Sequence, residues 1–199
     1  MSAQLPLGDF APEFLTELSQ YHTPPSIARQ MANLLPPETR RVLEPSAGGG
    51  TLVDAAFRTL QLVELVQAVE IDGRWVRYLS ERFLDKSLAV RVGDFMEIDA
   101  HGPHDFDAVL MNPPLDGGVG PHHVSHALEF APQVVSILRA GDMHTRDACA
   151  CLWASCDLAH LAHLISRGGF KGARTDFVVV DVRRPGTFNG PTEVEWWEA

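Results

Sequence analysis

From about residue 40 the chain alternates short apolar blocks with stretches whose apolar residues recur every three or four positions, the pattern of a sheet with crossover helices. The block 41–44 predicts a buried strand, and it runs straight into Pro45-Ser46-Ala47-Gly48-Gly49-Gly50. Leu52, Ala55, Ala56 and Leu60 then take helical spacing, so this segment reads as strand, glycine loop, helix. A second strand is predicted over 65–71, with Trp75, Leu79 and Phe83 on the face of the helix that follows. Strands over 89–92 and 106–111 come next, the latter closed by Asn112-Pro113-Pro114. A helix over 122–130 and a fifth strand over 134–138 continue the alternation.

The flanks read differently. Residues 147–166 predict a long helix, because Cys149, Leu152 and Cys156 would share one face and His160 and His163 would stand one turn apart. Two strands, 177–182 and 193–197, are separated by a connection carrying Pro185, Gly186, Asn189, Gly190 and Pro191. The alternation Glu193-Val194-Glu195-Trp196 makes the last of these a half-buried strand. Ahead of the sheet, Thr23-Pro24-Pro25 is a helix start, with Thr as the cap and Pro in the first turn. Ile27, Met31, Leu34 and Leu35 mark one apolar face, and Pro36-Pro37 ends that helix. Residues 1–20, broken by Pro6, Gly8 and Pro12, read as an irregular arm.

A length of 199 residues, 45% hydrophobic and 21% charged, suits one globular domain over 1–199, with an arm at 1–20 and a core at 21–199. No apolar run approaches the roughly 20 residues of a membrane helix, and Met1 to Phe10 is neither basic nor apolar, so a cytoplasmic protein without a membrane partner is expected. The formal charge of −10 disfavours a broad footprint on phosphate backbones. A nucleic-acid partner would have to be met by a local patch, for which Arg139, Arg146, Arg167, Lys171, Arg174, Arg183 and Arg184 are candidates. Cys149, Cys151 and Cys156 are crowded into one segment, unlike a disulfide framework, and their spacing is wrong for a zinc ribbon. No metal is expected. His122, His123 and His126 follow Pro121 and are expected to cap a helix or lie exposed.

Glycines between a strand and a helix free backbone amides for a polar ligand. Gly48, Gly49 and Gly50 stand there, and Glu70 closes the next strand, where a carboxylate can accept both hydroxyls of a ribose. The loop lacks the full dinucleotide fingerprint and the Lys-Ser/Thr of a phosphate loop, so the pair points to a nucleoside. A tight turn serving packing alone is the plainer reading of the same glycines. Asp94, after the third strand, can take a hydrogen bond from a purine amine while Phe95 covers the ring. Asn112 ends an apolar strand, where ligands bind in open α/β sheets; its side-chain oxygen and the Pro113 carbonyl can accept from one amino group and aim its lone pair.

Taken in order, Gln20-Tyr-His-Thr-Pro24, Val42-Leu-Glu-Pro-Ser-Ala-Gly-Gly-Gly50, Val69-Glu-Ile-Asp72, Gly93-Asp94-Phe95 and Asn112-Pro-Pro114 resemble the motif series of S-adenosylmethionine-dependent amino-methyltransferases. The likeness is strongest to the adenine-specific (N6) DNA methyltransferases and covers about residues 20–130. It implies a Rossmann-like class I fold: seven strands, mostly parallel, with helices on both faces and an antiparallel last strand. It implies S-adenosyl-L-methionine as cofactor, with Thr23 and the loop Glu44, Pro45, Ser46, Ala47, Gly48 and Gly50 on its methionine part. Glu70 would bind the ribose, Asp94 and Phe95 the adenine, and Tyr21, Ile71 and Asn112 would also border the cofactor. Asn112, Pro113, Pro114 and Leu115 would grip the target amine.

The implied chemistry needs positioning and carbonyl dipoles, with no covalent intermediate. Leu115 departs from the family, which has there an aromatic residue that stacks on a flipped base. Sequence readout on DNA would fall to the loop 116–123, the N-terminal arm, a specificity subunit or a second copy. The same motif logic serves a methyltransferase for RNA bases or protein glutamine, and a catalytically silent cofactor-binding subunit.

Overall fold

The computed structural model describes residues 23–102, 105–114, 116–154, 156–165 and 176–198. Its centre is an eight-stranded sheet in the order β3-β2-β1-β4-β5-β7-β6-β8. The strands are β1 (Arg41–Glu44), β2 (Leu65–Glu70), β3 (Leu88–Val92), β4 (Ala108–Met111), β5 (Gln133–Arg139), β6 (Asp157–Ile165), β7 (Phe177–Arg183) and β8 (Glu193–Glu198). The principal helices are α1 (Pro25–Asn33), α2 (Thr51–Thr59), α3 (Gly73–Arg82) and α4 (Gly120–Ala127).

Strand alternation divides the core between the two faces of the sheet. Val42, Val66, Ala68, Ala108, Leu110, Val135 and Ile137 pack with Ile27 and Met31 of α1, Val53 and Ala56 of α2 and Leu79 of α3. Leu43, Val69, Val109, Met111, Val134 and Leu138 pack on the other face with Phe95, Val124 and Ala127. Both faces are covered, so the inner strands are apolar throughout: Ala108–Met111 is buried at every position.

From β1 the chain steps outward to β2 and β3, then returns to lay β4 against the other side of β1. The crevice at the carboxyl ends of β1 and β4, where the strand order reverses, is the place where open α/β sheets bind ligands.

The predicted helix over 147–166 is not formed. A short helix, Arg146–Ala148, continues as one wide turn through Cys149–Trp153, and residues 157–165 are strand β6. Leucine and alanine there favour a helix by propensity, but the segment is inserted between β7 and β8 and its backbone is satisfied by both ladders. A register shift between Leu158 and His160 breaks the period of two that would have marked the strand. His160 and His163 therefore lie on opposite faces: His160 is buried beside Trp197, and His163 stacks on Trp196 with ring centroids 4.4 Å apart.

The antiparallel strand is β7, held between β5 and β6, and β8 is an eighth strand added parallel to β6. The alternation Glu193-Val194-Glu195-Trp196 would bury Val194 and Trp196, but β8 leaves both exposed and buries Trp197 instead, because Trp197 is the residue on the face that packs into the core while Trp196 stacks on His163. No helix among the described residues is long and apolar enough to cross a membrane.

Candidate functional site

A cavity of about 390 Å³ opens at the switch point between β1 and β4, within the usual range for small-molecule sites. Its floor is the loop after β1. Glu44 is buried at the strand end, where its Oε1 accepts from the Ser46 amide at 3.0 Å. Its Oε2 is buried without a hydrogen bond among the described residues. Burial is the main force raising the Glu44 pKa well above the ordinary carboxylate range, and the neighbouring Glu70 charge adds to it.

Pro45, Ser46, Ala47, Gly48 and Gly49 line the cavity beside Glu44. Gly48 takes a positive φ of 46°, which turns its amide onto Glu70 Oε2 at 2.6 Å. The second Glu70 oxygen accepts from the Asp72 amide at 2.9 Å. Burial raises the Glu70 pKa against these backbone hydrogen bonds, which lower it. Arg82 of α3 secures the loop from behind by donating to the Gly49 carbonyl at 2.5 Å.

Gly50 does not line the cavity. It has φ 77° at the start of α2, and a Cβ there would come within 2.5 Å of Leu79 Cδ2 and 2.9 Å of Phe83 Cε2. Its structural task is the close approach of α2 to α3.

Ile71 stands exposed at the rim, with Asp94, Phe95 and Met96 beyond it. Asp94 caps the turn after β3, its Oδ1 accepting from the Met96 amide at 2.9 Å. Phe95 is buried against His126 and Phe130.

Asn112, Pro113 and Pro114 follow β4 and line the opposite wall. Asn112 Nδ2 donates to Thr23 Oγ1 at 3.2 Å, which fixes the nitrogen end of the carboxamide and keeps its oxygen in the acceptor role. Thr23 is buried but does not cap α1; the residue before the helix is Pro24, which offers no side-chain cap. Tyr21 and Leu115 lie outside the described residues.

The sequence pattern at His123 points to helix capping or exposure, not to the site, whereas the ring is buried and lines the cavity beside Phe95. The cause is the close start of α4: a Cβ at Gly120 would come within 2.8 Å of Leu138 Cδ2, so the helix beds deeply on β5. Periodicity alone could have paired His123 with Val124 and Ala127, but the flanking histidines masked that signal.

Among the described residues the cavity wall carries the carboxyls of Glu44, Glu70 and Asp94 and no lysine or arginine. Such a lining suits a cationic or uncharged ligand and opposes a phosphate.

The anticipated basic rim is partly consumed inside the fold. Arg183 donates to both Asp181 oxygens at 2.8 Å, and Arg184 Nε donates to the Leu128 carbonyl at 2.7 Å. Arg167, Lys171 and Arg174 lie outside the described residues, which leaves Arg146 exposed and Arg139 half-buried.

No protein-family model and no curated protein sequence matches the chain. Solved structures match it by shape. A Pyrococcus horikoshii protein assigned as an RNA methyltransferase superposes with a TM-score of 0.65 at 21% identity, over 84% of this chain and 88% of that one. A Vibrio vulnificus protein assigned as the modification subunit of a type I restriction enzyme gives 0.67 at 14% identity, over 90% and 47%. A Listeria monocytogenes protein assigned as a class I S-adenosylmethionine-dependent methyltransferase gives 0.68 at 13%, over 88% and 65%. The chain thus spans less than half of the Vibrio protein. Its fold is that of the class I methyltransferases.

Proposed function

We propose that the chain is an S-adenosylmethionine-dependent N-methyltransferase acting on the exocyclic amine of adenine in DNA. The observation that carries the reading is the cavity itself: carboxyls at its base with no lysine or arginine beside them among the described residues, and Asn112-Pro113-Pro114 on the facing wall. The cofactor pairs a sulfonium and an ammonium with one carboxylate, and the buried Glu44 Oε2 is an orphan acceptor that an ammonium would satisfy. The residues present therefore fit the group.

In this reading Thr23, Glu44 and the loop Pro45 to Gly49 hold the methionine part, Glu70 accepts from the ribose hydroxyls, and Asp94 with Phe95 and Ile71 receives the adenine. Bound there, the cofactor supplies a methyl group already activated for transfer to nitrogen. The protein's share is orientation. The Asn112 oxygen and the Pro113 carbonyl accept the two amine hydrogens of the target, which sets the nitrogen lone pair toward the glycine loop and stabilises the positive charge that develops on that nitrogen. Two consecutive prolines keep those acceptors rigid.

RNA is the second reading. It is favoured by the name of the Pyrococcus neighbour.

The test is calorimetric titration of S-adenosylmethionine into wild type and Glu70→Ala, followed by radiolabelled methyl transfer to adenine-rich DNA and to RNA with Asn112→Ala as control. Binding lost in Glu70→Ala, with Asn112-dependent labelling of DNA, is the expected result. Labelling of RNA alone moves the substrate; absence of cofactor binding overturns the proposal.

A further inference from the structure

One side chain in the cavity has chemistry that the proposed function leaves unused. His123 Nδ1 lies 3.1 Å from the Val119 carbonyl oxygen, one turn earlier in the chain. A carbonyl only accepts, so Nδ1 carries the ring hydrogen and donates it. The other ring nitrogen, Nε2, is thereby fixed as an acceptor. Burial, the largest influence, holds the ring toward its neutral form, and the Asp94 carboxylate acts on it in the opposite sense. The ring centroid stands 6.4 Å from that of Phe95. His123 therefore belongs to the end of the cavity formed by Asp94 and Phe95.

We propose that His123 Nε2 is a second acceptor for the exocyclic amine of the cofactor's adenine, beside Asp94. The inference rests on the nucleoside reading above and adds to it a residue that selects the base. An exocyclic amine offers two hydrogens, and a carboxylate on one side leaves the second to be met. A neutral imidazole meets it without adding charge. A purine with a carbonyl at that position would set its oxygen against both acceptors, and a site built to receive an N–H rejects the analogue that lacks it, because the buried acceptors are left unpaired.

His123 is also held in place independently of any ligand. Its backbone amide donates to the same Val119 carbonyl at 3.2 Å, and α4 begins in close contact with β5. The acceptor is therefore already in position before the base arrives.

S-adenosylhomocysteine and S-inosylhomocysteine, titrated into wild type, His123→Leu and His123→Gln, test the assignment, with thermal unfolding of each variant alongside. Wild type should prefer the adenosyl ligand. His123→Leu should weaken adenosyl binding about fivefold, the size of one neutral hydrogen bond, while leaving inosyl binding unchanged or stronger, so that selectivity narrows. His123→Gln, whose carboxamide oxygen reaches about as far as Nε2, should keep most of the preference. The ratio of two ligands within one variant does not depend on how much of that variant is folded.

Equal losses on both ligands, with Gln as poor as Leu, would overturn the assignment and leave the ring a packing role. Unchanged selectivity in His123→Leu would overturn it as well, since the base would then be chosen without the ring. Wild type binding neither ligand would overturn the nucleoside reading and this inference together.

Discussion

Asn112 Nδ2 donates to Thr23 Oγ1 across 3.2 Å, tying the end of β4 to the residue just ahead of α1. Two motifs far apart in the chain thus meet at the atoms proposed to orient the target amine, which in that proposal makes Thr23 a positioning residue for Asn112. Thr23→Val removes the acceptor at almost constant volume. Loss of one orienting hydrogen bond, about 1.4 kcal/mol, should slow single-turnover methyl transfer about tenfold. Because Thr23 also borders the methionine part in the proposed site, cofactor affinity should fall as well, and Thr23→Ser should restore both. A fall in cofactor affinity at an unchanged single-turnover rate would leave Thr23 on the cofactor alone.

Two glycines of one loop should respond differently to alanine. At Gly50 a Cβ would meet Leu79 Cδ2 at 2.5 Å and Phe83 Cε2 at 2.9 Å, on a backbone already at φ 77°. Overpacking of about 1–3 kcal/mol and roughly 1–2 kcal/mol of left-handed backbone strain should add, lowering the unfolding midpoint by several degrees. Gly48 has φ 46° and open space around its Cβ position. Gly48→Ala should cost only the backbone strain in stability but weaken cofactor binding, because the new methyl enters the cavity. Thermal unfolding and calorimetry on both variants separate the two effects.

The sequence made the first half of the sheet readable because β1, β2 and β4 are short, apolar and closed by glycine, an acid or Asn-Pro-Pro, each doing a local job. The cavity residues sit at those strand ends and were legible for the same reason. Gly50 shows the limit: the glycine pattern marks a need for small size without saying whether a ligand or a neighbouring helix sets it. Strand β6 was hidden because its leucines and alanines carry helical propensity and its bulge erases the alternation. His123 was hidden because its burial depends on how closely α4 meets β5, a contact between distant segments that no local pattern encodes.

Cys156 should be inert toward alkylation. Burial, with the nearby Asp157 carboxylate next, pushes its thiol up to about 12. Only the thiolate attacks, so at pH 8 Cys156 holds a vanishing share of the reactive form. Iodoacetamide treatment of the native protein, followed by peptide mapping, should leave Cys156 unmodified, and labelling should appear only after denaturation. Rapid native-state modification would show that the turn before β6 opens readily.

Glu44 should couple stability, pH and ligand. Its folded-state pKa lies well above the ordinary value of 4.5, chiefly through burial. A carboxyl with a raised folded-state pKa stabilises the fold while it is protonated, and that contribution disappears as pH rises through the folded-state value. Wild type should therefore lose unfolding midpoint relative to Glu44→Gln as pH climbs from about 4.5 upward, and the two curves should converge in acid. Glu70 and Asp181 are also shifted upward by burial, but both proteins carry them, so the difference between the curves reports Glu44. In the proposed site the cofactor's ammonium compensates the buried charge. Added S-adenosylmethionine should then raise the wild-type midpoint more than that of Glu44→Gln, and the gap should widen with pH. Parallel curves with and without ligand would mean that Glu44 does not meet the ammonium.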